Sequence, residues 1–484
     1  MNVRTAFRGP MASIAVVLLL VDLSQGQITP KALVGDAVPD IANKAEPQDD
    51  LRSAITRIQL GKVSEAYEFC KDARKKLVSL PPAEVIMARL FNIIQNPPQT
   101  RLWLERAVAE QPDDPEAFVL FGEGAIREGR VTDAELLFTK AVGLAEKYKG
   151  NDKRKRDIML RALQGRASVA ERREKWGDAR ADLIQLIKLD DSNPAPYQRL
   201  GQALFFQELY PEAEKVFRKG DDLDTKNELA AWEVTMGQLY ERKAQMAKTT
   251  EAERKTLRAK AAEKMDAAVK RLPKDVNVRL GIAGWAMQTN QLEVAERHAE
   301  EAVKLDTTSL PAKIIRGYVA RLKGDQRKAE EMFELAHLQN PSDLNTSNNL
   351  ALALIESPDD RRPAKPDELH PKHLRAMQFA AMNVQRFPVN GNSPYRFEAA
   401  SSYGWILYKL GRTNEAGSVL QAVLQGGQLS QDSAYYVAQI LFDLGRYDDA
   451  GKLLANRVES DIPFVHRADA KKLLDDIEKR AKKP

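Results

Sequence analysis

The chain has 484 residues, of which 30% are charged and only 7% aromatic, and its 74 Lys and Arg nearly balance 69 Asp and Glu for a net charge of +5. That balance gives no global electrostatic footprint for nucleic acid, and a single cysteine excludes an internal disulfide framework. Recurrent Ala, Leu, Glu, Lys and Arg suit long amphipathic helices with solvated outer faces, an all-α composition.

Residues 1–26 read as a secretory signal peptide. Arg4 and Arg8 supply the positive start, Met11 to Leu23 form an apolar run broken only by Ser13 and Asp22, and Ser24-Gln25-Gly26 offer a small-residue cleavage site. The run is shorter than the roughly 20 residues that span a bilayer; an uncleaved membrane anchor is the alternative. The expected location is therefore exported, periplasmic or extracellular, in a bacterial envelope. Residues 27–49 follow as an N-terminal linker, and Cys70 is expected on the packed face of a helix as a small hydrophobe.

From about residue 50 the apolar pattern repeats. Phe118, Phe121-Gly122 and Ala125 lie at helical spacing, Gly129-Arg130 interrupt, and Ala134, Phe138 and Ala141 resume. The same order returns with Tyr197, Leu200-Gly201, Leu204, Ala213 and Phe217, and again with Gly317, Gly324, Ala329, Phe333 and Ala336. Stripes of this kind on two helices joined by a short turn bury each other. Gly122, Gly201 and Gly317 are small where the paired helices cross, so the axes can approach closely. Gly129 and Gly324 end the first helix in a conformation glycine accepts. Pro112, Pro194 and Pro341 stop the second helix and open the next unit.

These residues resemble the tetratricopeptide repeat (TPR) family over residues 50–457. Clear units begin near 81, 115, 160, 194, 276, 310 and 431, and degenerate ones near 47, 230, 344 and 397. The resemblance implies a right-handed α-solenoid of about ten TPR helical hairpins. Insertions fall at about 241–255, where the charged stretch Glu241 to Lys264 suggests helices projecting into solvent, and at 357–371, which is rich in proline. Asn390-Gly391 and Gly426-Gly427 look like joints. Residues 458–484 form a capping helix and basic tail, with one amphipathic helix expected over Asp461 to Lys483, apolar at Phe464, Val465, Leu473, Leu474 and Ile477.

The sequence carries no HExxH, phosphate-binding glycine loop, GxSxG or paired-cysteine zinc motif. No catalytic residue, metal site or cofactor is assigned, and the chain reads as not an enzyme. His370 and His373, near Asp367 and Glu368, are the one close histidine pair, and an exposed polar loop is the plainer reading. The TPR resemblance implies a binding surface on the first helix of each hairpin. It assigns a groove of Gln198, Gln202, Phe205, Phe206, Tyr318, Arg321, Asn345, Asn348, Trp405, Tyr408 and Tyr435 to a protein or peptide partner in the cell envelope; packing between hairpins is the alternative use of these residues. A second reading is contact with an anionic polymer or membrane surface. It rests on residues 147–180, where twelve basic residues, among them Lys153, Arg154, Lys155, Arg156, Arg172 and Arg173, face five acidic ones.

Overall fold

The computed structural model describes residues 28–35, 45–246, 249–357, 369–391, 393–426, 429–455, 457–459 and 463–481, and all regular structure among them is helical. The signal read in residues 1–26 lies outside the described residues, as does most of the 357–371 insertion. The helices form two compact units, Met1–Thr225 and Lys226–Pro484.

In the first unit, α1 (Pro30–Val34) precedes a series of helical hairpins: α2 (Ala45–Gln59) with α3 (Val63–Lys76), α4 (Ala83–Ile93) with α5 (Pro97–Glu110), α6 (Pro115–Arg127) with α7 (Val131–Lys147), α8 (Asp152–Arg172) with α9 (Trp176–Leu189), and α10 (Pro194–Phe206) with α11 (Tyr210–Leu223). The second unit continues in the same style. It pairs α12 (Trp232–Ala244) with α13 (Glu251–Arg271), α14 (Val276–Gln288) with α15 (Leu292–Leu305), and α16 (Leu310–Leu322) with α17 (Gln326–Gln339). Then come α18 (Leu344–Ile355) with α19 (Pro371–Arg386), α20 (Arg396–Lys409) with α21 (Thr413–Gly426), α22 (Gln431–Asp443) with α23 (Tyr447–Leu454), and a last helix, α24 (Arg467–Ala481).

Short-range chemistry sets the helix boundaries. Asp114, Asn193, Asp275, Ser309 and Asp343 cap first helices by accepting from backbone N–H groups of the opening turn, each worth about 1 kcal/mol. Gly129 and Gly324 take the left-handed conformation in the hairpin turn (φ 74° and 80°), as do Gly61, Gly411 and Gly445. In other hairpins Gln95, Glu174, Glu208 and Asn290 accept the same conformation at φ 56–65°, at a steric cost of about 1–2 kcal/mol each.

Packing explains the repeating glycine. A Cβ added at Gly122 would lie 2.7 Å from the Phe138 ring, at Gly201 2.7 Å from Phe217, and at Gly317 2.8 Å from Phe333. In each hairpin the second-helix ring therefore rests directly on the first-helix backbone. All three rings are fully buried, each contributing about 2 kcal/mol by leaving water. On α17 the buried residues Ala329, Met332, Phe333 and Ala336 keep the i, i+3, i+4, i+7 spacing. Cys70 on α3 is fully buried, with its sulfur 3.8 Å from that of Met87 on α4; burial, then the Glu84 carboxylate, pushes its thiol up to about 12.

Four stretches differ from the sequence reading. Residues 27–49 are not linker throughout: Leu33 and Val34 of α1 are buried, Arg89 donates to the Leu33 carbonyl at 2.8 Å, and α2 begins at Ala45. The unit placed near 160 starts earlier, because Asn151 caps α8 through the Arg154 N–H at 2.9 Å. The extra length after Glu241 lies in α13, whose opening turns are mostly exposed while Ala261, Met265 and Ala268 pack. Finally, Phe464 and Val465 precede the last helix, which starts at Arg467. Pro463 stands just ahead of them, and proline has no N–H to donate to a helix ladder.

Candidate functional site

In the first unit, the assigned groove residues divide by burial. Gln198, Gln202 and Phe206 on α10 are half-buried, with Phe206 stacked on Trp176 (4.5 Å, 17°). Phe205 is fully buried, edge-on to Phe206 and Tyr210. It is a core residue, which corrects its assignment to an open groove.

The basic stretch is corrected in part. Arg154 is 3% exposed: its guanidinium donates to Asp114 at 2.8 Å, to Glu116 at 2.8 Å and to the Tyr148 hydroxyl at 2.7 Å. Glu116 is fully buried and also meets Arg89 and, at 3.6 Å, Arg161. Burial alone would raise the Glu116 carboxyl, but the Arg89, Arg154 and Arg161 charges bring it to about 2. Arg173 is held by Glu135 and Thr132, and Lys155 donates to the Glu146 carbonyl at 3.1 Å. Lys153, Arg156 and Arg172 are exposed. The run Lys153–Arg156 opens α8, so its side chains point to different sides of a helix rather than forming one patch.

The second unit brings Arg321, Trp405 and Tyr435 together. Arg321 (α16), Asn348 (α18), Trp405 (α20) and Tyr435 (α22) all lie on first helices, and all are buried. They are therefore not a vacant groove surface. The residue at their centre is Glu356, just past α18. Its carboxylate accepts from Arg321 Nη2 at 3.0 Å, from Trp405 Nε1 at 3.0 Å and from His466 Nε2 at 2.9 Å. Burial raises that carboxyl and the Arg321 and His466 charges overcome it, holding it at about 2. Arg321 also reaches the Tyr436 hydroxyl at 3.4 Å. Tyr408, half-buried, stacks on Trp405 (5.2 Å, 21°) and donates to Asp443 at 2.6 Å. Tyr318 is half-buried and Asn345 exposed.

What covers this face is the chain itself. Residues 463–466 are irregular and lead into α24. His466 stacks on Tyr435 (4.9 Å, 16°) and meets Trp405 and Tyr436 edge-on at 5.6 and 5.4 Å. Its backbone N–H donates to Asp432 at 3.2 Å, and Phe464 is 5% exposed within the terminal core. Glu356, Asp432, Tyr436 and His466 carry no repeat signature that would mark them in the sequence. Pro463 followed by an aromatic and a histidine, just beyond the last repeat, was the available signal.

His370 caps α19 and His373 is buried, their rings 5.8 Å apart; Asp367 and Glu368 lie outside the described residues. Among the described residues no His, Cys, Asp and Glu group is placed to hold a metal ion, and no helix is long and apolar enough to cross a membrane.

A family model described as tetratricopeptide repeat matches residues 165–228 and 398–463; the first match falls on α8–α11, and the second runs from α20 through α23 to Pro463. A search of curated proteins finds no match. Among solved structures, a tetratricopeptide repeat protein from Parabacteroides merdae is 10% identical over 66% of this chain and 99% of its own, with a TM-score of 0.37. Yeast Tom70 is 11% identical over 90% of this chain and 96% of its own, at 0.36. YrrB, described as a TPR protein with an unusual peptide-binding site, is 19% identical over 43% of this chain and 97% of its own, at 0.27.

Proposed function

Because this chain is a tetratricopeptide repeat protein, we propose that it is a non-catalytic scaffold of the cell envelope, holding a protein or peptide partner on its first-helix faces. One observation carries the reading: an irregular stretch of polypeptide, residues 463–466, already sits against first helices α20 and α22 and the end of α18 through ring stacking and charge-assisted hydrogen bonds. Aromatic area with fixed acceptors for a backbone N–H and a cation is what capture of a peptide segment requires. The partner-facing positions in this reading are Asn345, Tyr318 and Tyr408 in the second unit and Gln198, Gln202 and Phe206 in the first. The envelope location rests on the sequence of residues 1–26 alone. Polymer binding through the basic stretch is the weaker reading, since Arg154 and Arg173 are committed to internal carboxylates.

A photo-crosslinking amino acid placed at Asn345 or Gln202, with exposed Glu331 on α17 as the comparison, tests the surface in living cells. Discrete adducts at the first-helix positions and none at Glu331 are expected. Equal labelling at Glu331, or none at Asn345 and Gln202, overturns the reading. Alkaline phosphatase fused after residue 40 tests export separately: an inactive fusion removes the envelope from the proposal.

A further inference from the structure

The second unit holds its covering segment by a titratable contact. Both ring nitrogens of His466 face carboxylate oxygens: Nε2 lies 2.9 Å from Glu356 and Nδ1 3.2 Å from Asp469. A neutral imidazole carries one N–H and one lone pair, so it can donate to only one of them; the imidazolium donates to both. Other charged and titratable groups around it are Arg321 of α16, which shares Glu356, and Asp432, Tyr435 and Tyr436 of α22. Carboxylates outnumber cations there.

We propose that residues 463–466 are a built-in ligand of the second unit, seated by the His466 imidazolium, and that they must lift from Trp405, Tyr435 and Glu356 before a partner segment can bind there. This rests on the first-helix face of the second unit being the partner site. The partner segment it would admit is chemically like the one it displaces: a turn with an apolar residue two positions before a cation, as in Phe464-Val465-His466, where the Arg467 N–H donates to the Phe464 carbonyl at 3.3 Å.

The sign of the pH response comes from the surroundings. Burial works against a charge on His466, but Glu356, Asp432 and Asp469 outweigh it and the group is raised above 6.5. The seated state is therefore favoured at low pH and weakens as pH rises through that higher value. His298 shows the opposite case in the same unit. Buried beside Arg279 at 3.3 Å, it is brought down to about 4 and stays neutral.

The test uses the full-length chain. Hydrogen exchange of residues 463–470, corrected for intrinsic rates, is compared at about pH 6 and about pH 9. Wild type is expected to lose roughly tenfold protection at the higher pH, and His466→Gln to be poorly protected at both, while exchange in α22 and α23 stays near wild type. Equal wild-type protection at the two pH values, or a wild-type step retained in His466→Gln, overturns the latch. If exchange in α22 and α23 also rises in that variant, the wild-type pH comparison decides alone.

A second arm adds a fluorescent peptide copying residues 460–472 with His466→Arg, whose charge does not change over this range. It should bind the full chain more tightly at about pH 9 than at about pH 6, and not bind Trp405→Ala. Lifting without peptide binding refutes the partner site and leaves the latch. Peptide binding to His466→Gln with no pH step in wild type does the reverse.

Discussion

Both units bury a glutamate beside arginines, yet the two clusters behave differently. In the first unit Glu116 is surrounded by Arg89, Arg154 and Arg161, all from helices of the repeat stack. In the second unit Glu356 has one arginine from the stack, Arg321, and takes its other cation from His466, outside the hairpins. Arginine keeps its charge at any pH a protein meets, whereas histidine changes charge near neutrality. The first cluster is therefore a permanent clamp between repeats, and the second is conditional on a separate stretch of chain.

Removing the anion should expose that contrast most strongly. Glu116→Ala leaves three arginines without their shared counterion and is expected to destabilise the first unit by about 3–5 kcal/mol. Exchange in α6 and α8 measures this; an effect under about 1 kcal/mol would show that the clamp is solvated rather than closed. Glu356→Ala should cost the second unit somewhat less, about 2–4 kcal/mol, and should also deprotect residues 463–470. Loss of stability without that local exchange would separate the glutamate from the covering segment. Gly317→Ala, which drives a methyl into the Phe333 ring, is expected to cost about 1–3 kcal/mol in urea unfolding, with Gly317→Ala/Phe333→Leu recovering part.

The pH dependence sharpens the same comparison. Both glutamates sit near 2 against an ordinary 4.5, so both units should lose stability as pH falls from about 4.5 toward 2. Between pH 6.5 and about 8, below the range in which the buried Cys70 thiol of the first unit matters, only the second unit should respond. His466 is raised, so its contribution is complete below 6.5 and fades as pH climbs through the folded value. Matching melting curves over that range for exchange-resolved α6 and α18 would contradict this. The smallest expected effect has the opposite sign. Glu174→Gly relieves a left-handed non-glycine residue (φ 56°) and should stabilise the α8–α9 hairpin by roughly 0.5–1 kcal/mol, seen as a raised urea midpoint.

The hairpins were legible because their rules are local. Gly122 with Phe138, Gly201 with Phe217 and Gly317 with Phe333 recur at one spacing, and glycine turns such as Gly129 and Gly324 mark the break between helices. Where Gln95, Glu174, Glu208 or Asn290 fills the same turn position, the marker is missing although the geometry persists. The site was less legible. Periodicity places Arg321, Trp405 and Tyr435 on first helices, but it cannot show that a segment from beyond the array comes back to cover them. That contact joins Glu356 to His466 across 110 positions of sequence. Arg154 was misread for a related reason: a cluster of like charges looks solvated until Asp114 and Glu116 arrive from the preceding hairpin.

The lone cysteine has a practical consequence. Thiol reagents attack the thiolate, and Cys70 is both enclosed and pushed up to about 12. The native chain should thus be nearly inert to maleimide dyes while folded, so cysteines introduced at chosen sites can be labelled without first replacing it. A dye pair with one member on α24 and the other on α16 would turn the movement of the terminal segment into a distance read one molecule at a time.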